Sequence, residues 1–271
     1  MEICHITLTA ERKSRLPLFP DGAAYLEALR RLGAVCQGRL ALFALIAEHL
    51  HLISPVPRAA GGRLSQAVSV TLRPIVATPL APSFPTMVES RDHVRSLLRY
   101  LLLQALKHGM PGHPALWIGS CLPDLLGARV IEGLSLCVRR VLPDYNDGKA
   151  LAIVGLRGTG LPVPDKSTLR AAGASRLRLA AAAAFGVDPL LAGNGPAAIK
   201  ARRAVAQIAD RVGIHPRETS AALGRSPFTT WRLRRPTLDH AELAVVARRV
   251  MLEQLVAEAL TARPVATDLA S

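Results

Sequence analysis

The chain has 271 residues, half of them hydrophobic, with 34 Lys and Arg against 20 Asp and Glu, a net charge of +14 and a pI near 10.9. That length suits two modest domains, and the apolar content excludes wholesale disorder. The basic excess favours a polyanionic partner, since each neutralised phosphate releases condensed counterions; the plain alternative is a chain merely rich in Arg and Ala.

Residues 3–10 (ICHITLTA) are β-branched and apolar in rough alternation, the pattern of a strand. A basic turn with Arg12, Lys13 and Arg15 follows. Asp21 caps a helix reaching about residue 35, with Leu26, Leu29 and Leu32 on one stripe. Gly38 breaks, and residues 39–53 read as one long strand whose near-continuous apolarity suits the centre of a sheet, ended by Pro55 and Pro57. Residues 65–76 fit either helix or strand, and 79–85 form a Pro-rich loop. Residues 91–108 predict a helix with Val94, Leu97, Leu98, Leu101, Leu102 and Ala105 on its apolar face and Gly109 at its stop. Residues 111–165 hold short apolar runs broken by Pro and Gly, with at least one helix near 124–141. From Thr168 onward every segment reads as helix, over 177–185, 197–212, 217–223, 227–235 and 238–260.

Charge divides the chain in the same way. Residues 1–120 carry 13 basic and 7 acidic side chains, 121–165 five of each, and 166–271 16 against 8. Two basic domains, 1–120 and 166–271, joined by a neutral connector, 121–165, are therefore expected. Cys4, Cys36, Cys121 and Cys137 are widely spaced without a CxxC pair, and read as buried small hydrophobes in a reducing compartment. Charges interrupt the first twenty positions, and the apolar run 40–53 is too short to span a bilayer. A cytoplasmic protein with no membrane contact is expected.

Two weak motifs carry the chemistry. Residues two apart on a strand share a face, so the imidazoles of His49 and His51 can converge on one cation. A single His-x-His in a chain with eight histidines is an ordinary accident, but two polar rings within a buried strand need partners. On the helix 91–108, Tyr100 and Gln104 lie four apart on one face, with His93, Ser96 and Lys107 near the same stripe. A phenol beside an amide oxygen offers a nucleophile and a third metal ligand; the plain reading is a boundary tyrosine and a solvated glutamine.

In this order and at this separation, His49-Leu50-His51 and Tyr100-Leu-Leu-Leu-Gln104 resemble the single-tyrosine HUH transposases of bacterial insertion sequences, including the REP-associated tyrosine transposases. The basic segment after the first strand, and Leu18 and Phe19 before the first helix, are similar to that family too. The resemblance covers about residues 1–120. It implies an α+β fold, a ferredoxin-like antiparallel sheet with helices, followed here by an all-α helix-turn-helix domain. It also implies a divalent metal, Mg²⁺ or Mn²⁺, on His49, His51 and Gln104, with Tyr100 as the nucleophile that nicks single-stranded or hairpin DNA. The product would be a 5′-phosphotyrosine and a free 3′-OH, and rejoining would need no ATP because the phosphoester is conserved. Arg12, Lys13, Arg15 and Lys107 would bind the DNA, and the family usually acts as a homodimer. Glu48 stands where the family has Asn or Asp. That carboxylate can still assist the metal, or it marks a domesticated, non-catalytic DNA-binding regulator. A metallohydrolase using the histidines and water is a third reading.

Near the C-terminus, residues 217–235 read as helix, Gly-containing turn and second helix, a helix-turn-helix pattern. Arg225, Thr229, Thr230, Arg232, Arg234 and Arg235 are candidates for phosphates or base edges, and Trp231 reads as core packing. The stretch with ARRAVAQIADRVG and SAALGRSPFT also resembles, loosely, the DNA-binding domain of the replication initiator DnaA. Residues 155–160 look glycine-rich but lack a P-loop lysine and read as linker, and His108, His113, His215 and His240 read as surface or packing residues.

Overall fold

The chain runs β1 (Cys4–Thr9), α1 (Gly22–Cys36), β2 (Leu42–Leu45), β3 (His49–Ser54), α2 (Arg58–Leu72) and β4 (Thr86–Met87) in the computed structural model, which describes residues 1–11, 16–235 and 238–262. The four strands form one antiparallel sheet ordered β2-β3-β1-β4, so the two longest strands lie at its centre. The class is mixed α+β. Alternation along β1 and β3 sends Ile6, Leu8, Leu50 and Leu52 to one face, all fully buried. α2 lies against that face so closely that a Cβ at Gly61 would sit 2.7 Å from Cys4 Sγ, and α1 packs beside α2. The other face carries His5, Thr7, His49 and His51, with Thr7 directly opposite His51 in register.

The single long strand expected over 39–53 is instead a hairpin. β2 pairs back on β3, Leu45 with Leu50, and the Ile46 amide donates to the His49 carbonyl at 3.0 Å to close the turn. Two-residue hairpin turns usually announce themselves with Gly or Asn at positive φ. Here the turn residues are Ala47 and Glu48, and neither has positive φ. Their carbonyls are used from outside, accepting from the Leu18 and Ala10 amides at 2.6 and 2.9 Å. Both strands are buried, so the apolar run gave no sign of the reversal. The ambiguous segment 65–76 is largely helix, within α2.

The Asp21 cap is present, its carboxylate accepting from the Ala24 amide at 2.9 Å, and α1 ends at Gln37 and Gly38 in the left-handed region. The helix expected over 91–108 comes as α3 (Arg91–Leu102) and α4 (Gln104–Lys107). Leu103 between them keeps right-handed angles, and its amide still donates to Arg99, so Gln104 continues from the turn that holds Tyr100.

The remainder is helical: α5 (Leu122–Leu125), α6 (Val138–Val141), α7 (Asp147–Ile153), α8 (Lys166–Ala184), α9 (Pro196–Arg211), α10 (Pro216–Leu223), α11 (Pro227–Leu233) and α12 (His240–Thr261). Two hydrophobic cores result. The first joins the sheet and its helices to Cys121, Leu122, Leu142, Leu151 and Leu156, from the segment read as connector. The second is built from α8 to α12, with Leu177, Val205, Ile208 and Leu223 inside. α12 serves both: Leu243, Val246 and Val250 enter the second core, Leu252 and Val256 the first. All four cysteines are free thiols. Among the described residues no helix is long and apolar enough to cross a membrane.

Candidate functional site

The β1–β3 register sets Thr7 opposite His51 and Thr9 opposite His49, which builds a polar patch on the sheet face away from α2. The two imidazoles of β3 share that face, ring centroids 4.5 Å apart and nearly perpendicular. α3 brings Tyr100 over them. Its Oη lies 3.4 Å from His51 Nε2, the ring centroids are 5.3 Å apart, and the side chain stays 36% exposed, open to solvent. Gln104, one turn on, is buried beside His49; its Nε2 donates to the Tyr100 carbonyl at 3.3 Å.

Two atoms at this point lack partners. His49 Nε2 and Gln104 Oε1 are both buried without a hydrogen bond. The Gln104 amide comes close enough to favour a proton on His49, yet the pair stops short of hydrogen-bond geometry. Buried polar atoms without partners are costly, so this oxygen and ring nitrogen must either close on each other or share a bound species. Among the described residues no three His, Cys, Asp or Glu side chains are arranged to hold a metal; this set is two imidazoles and an amide oxygen.

His51 is fixed from behind. Its Nδ1 lies 3.0 Å from His5 Nε2 and 3.1 Å from Thr7 Oγ1, which are 3.3 Å from each other. Burial, then the neighbouring His49, His5, His108 and Lys107, push the His51 imidazole down to about 3. Burial and His108 lower His49, and burial and His93 lower His5. All three are therefore neutral at neutral pH, the form in which an imidazole donates a lone pair.

His5, Thr7 and His108 escaped the sequence reading. His108, taken there as a surface or packing residue, stands with its ring 5.1 Å from that of His49. The alternation His5-x-Thr7 was visible, but the register that sets it beside His51 was not. Lys107 reaches over Tyr100, its Nζ 5.3 Å from the ring centroid. Glu48 is exposed in the hairpin turn. Arg12, Lys13 and Arg15 lie outside the described residues; Ala10 and Leu18 on either side are tied to that same turn.

At the other end of the chain, α10 ends at Gly224 with left-handed angles, and Ser226 caps α11, accepting from the Thr229 amide at 3.2 Å. Arg225, Thr229, Arg232 and Arg235 are exposed. Two other candidates are not available as surface contacts. Thr230 is only 1% exposed because it faces the interior, and Arg234 is paired with Asp210 at 2.6 Å. Trp231, expected in the core, is instead 53% exposed. Of the remaining histidines, His113 and His215 cap the turns that follow them, through the Ala115 and Arg217 amides.

Comparison with known proteins finds no matching family model, no similar curated protein and no similar solved structure.

Proposed function

We propose that the chain is a DNA strand transferase of the single-tyrosine HUH kind, its N-terminal part a ferredoxin-like HUH domain and α10–α11 a helix-turn-helix. The observation that carries this reading is the meeting of Tyr100 Oη, His51 Nε2, and the unpartnered His49 Nε2 and Gln104 Oε1 across one sheet face. Strand residues 49 and 51 and helix residues 100 and 104, the nearest pair 49 positions apart in sequence, come together there.

Two neutral imidazoles and an amide oxygen, two of these atoms without a hydrogen bond, form a mixed nitrogen–oxygen set that would take a divalent cation, Mn²⁺ more readily than Mg²⁺, which prefers oxygen ligands. Such a cation would neutralise the scissile phosphate and the charge that develops on it. The chain's own residues account for the rest. Tyr100 Oη attacks phosphorus while the bond to the 3′ oxygen breaks, leaving a 5′-phosphotyrosine and a 3′-OH. The phenol proton leaves toward solvent, to which Tyr100 is open, and a proton from solvent restores the 3′ hydroxyl. Lys107, exposed and over the tyrosine ring, can meet a neighbouring phosphate. His5 and Thr7 hold His51 by Nδ1, so that with the proton on that nitrogen the Nε2 lone pair points at the reaction centre. Single-stranded DNA is the fitting substrate, because its backbone can bend to bring a phosphate to the exposed tyrosine.

The test is a denaturing gel of the protein with a labelled single-stranded hairpin and Mn²⁺ or Mg²⁺. A covalent adduct that disappears in Tyr100→Phe is expected. Binding without an adduct would point to a regulator derived from such an enzyme, and cleavage surviving Tyr100→Phe would point to a metallohydrolase.

A further inference from the structure

Large aromatic side chains normally contribute their area to a core. On α11 two do not: Phe228 is 66% and Trp231 53% exposed. Spaced three apart, they share one helix face and stack on each other, centroids 6.1 Å apart and planes 24° from parallel. Each carries a guanidinium over its ring, Arg232 at 6.0 Å from Phe228 and Arg235 at 5.7 Å from Trp231. Thr230, on the opposite side and buried, anchors the helix so that this strip faces outward. Residues 224–235 contain Arg225, Arg232, Arg234 and Arg235 and no acid, and of these only Arg234 is paired with a carboxylate, Asp210, among the described residues.

We propose that Phe228 and Trp231 form a stacking platform for unpaired bases of single-stranded DNA, with Arg225, Arg232 and Arg235 meeting its phosphates. A duplex displays base edges, which amide and guanidinium groups read; ring faces become available only when a base leaves the stack. An exposed pair of flat rings flanked by cations matches the second surface rather than the first. The class of partner rests on the strand-transferase reading above, but the platform is a separate site and can stand or fall without Tyr100.

The chain has only two tryptophans, and the other, Trp117, is half-buried with its indole N–H on the Leu45 carbonyl. In Trp117→Phe the remaining emission is that of Trp231 and reports contact with the platform. The full chain is titrated with a thymidine 12-mer, an abasic strand of the same length and a blunt duplex. The 12-mer is expected to quench emission and to bind roughly tenfold or more tighter than the abasic strand. With affinity read from the anisotropy of a labelled 12-mer, Phe228→Ala and Trp231→Lys, with unchanged circular dichroism, are expected to weaken binding by a similar factor, although the second adds a positive charge. Equal binding of the abasic strand, or full affinity in both variants, overturns the platform. So does self-association of the chain that shifts Trp231 emission without DNA. Adduct formation at Tyr100 with Trp231 unquenched overturns this inference alone; no binding of any strand overturns both.

Discussion

His51 is held at one nitrogen and offered at the other. Its Nδ1 is met by His5 and Thr7, and its Nε2 faces Tyr100. Residues that grip the far nitrogen of a metal-binding imidazole typically carry ten- to a hundredfold of metal affinity, of order 10–100. His5→Ala is therefore expected to weaken Mn²⁺ binding by about that factor in a calorimetric titration while the fold persists; unchanged affinity would show that His5 merely fills space. Acid should act on the same residue through stability. The unfolded chain takes up the His51 proton near its ordinary 6.5, whereas the folded chain does so only near about 3. Between those values the unfolded state binds more protons, so stability is complete above 6.5 and drains away as pH falls. The loss is about 1.4 kcal/mol per pH unit for this one group, with His5 and His49, lowered in the same direction, steepening it. Urea titrations at pH 7.5 and ~5.5 with chelator present should register this, and His51→Gln should flatten the difference. A parent chain as stable at the lower pH would mean that His51 is not buried as a neutral ring.

Glycines mark where elements touch, and they separate local preference from packing. Gly33 in α1 meets the 132–134 segment: a Cβ there would lie 2.3 Å from the Glu132 carbonyl oxygen. Helix propensity alone makes Gly→Ala favourable by ~1 kcal/mol, but a clash with fixed backbone costs about 1–3 kcal/mol. Packing wins where the backbone cannot give, so Gly33→Ala is expected to lose up to roughly 2 kcal/mol on the same principles. Gly62 in α2 has nothing within 4 Å, so Gly62→Ala should gain up to ~1 kcal/mol. Opposite signs in urea melts are the check; two gains would dismiss the contact between α1 and residues 132–134. The same distinction explains what the sequence disclosed. Local signals were legible: the Asp21 cap, the alternation of β1, the leucine stripe of α3, the Tyr100–Gln104 spacing. Signals that depend on pairing were not. The 46–48 reversal uses Ala and Glu at ordinary angles, so its apolar run read as one strand. His5 and His108 join the histidine cluster only through strand register and the approach of α4, which no spacing encodes. Trp231 was misplaced because a large aromatic on a short helix usually faces inward, and here that place belongs to Thr230.

Across the whole molecule the two cores share one helix. α12 buries Leu243, Val246 and Val250 among the C-terminal helices, and Leu252 and Val256 with the sheet-bearing part. Between these stretches Arg249 is buried and bonded to Glu253 at 2.8 Å, near the buried Arg129–Asp124 pair. Detaching either stretch of α12 uncovers the apolar side chains it buries in that core, which penalises any state with α12 half detached. The halves should therefore unfold together. Leu252 is fully buried, and Leu252→Ala is expected to cost about 2–5 kcal/mol. Its effect should reach both halves although the side chain belongs to one core. Trp117 lies against the first core and Trp231 on the outer face of α11, whose Leu233 packs on the second, so Trp231→Phe and Trp117→Phe leave one reporter in each half. Denaturant curves followed by either tryptophan should share a midpoint, and Leu252→Ala should lower both midpoints equally. If only the Trp117 curve moves, α12 is a tether between independent domains rather than a common wall of both.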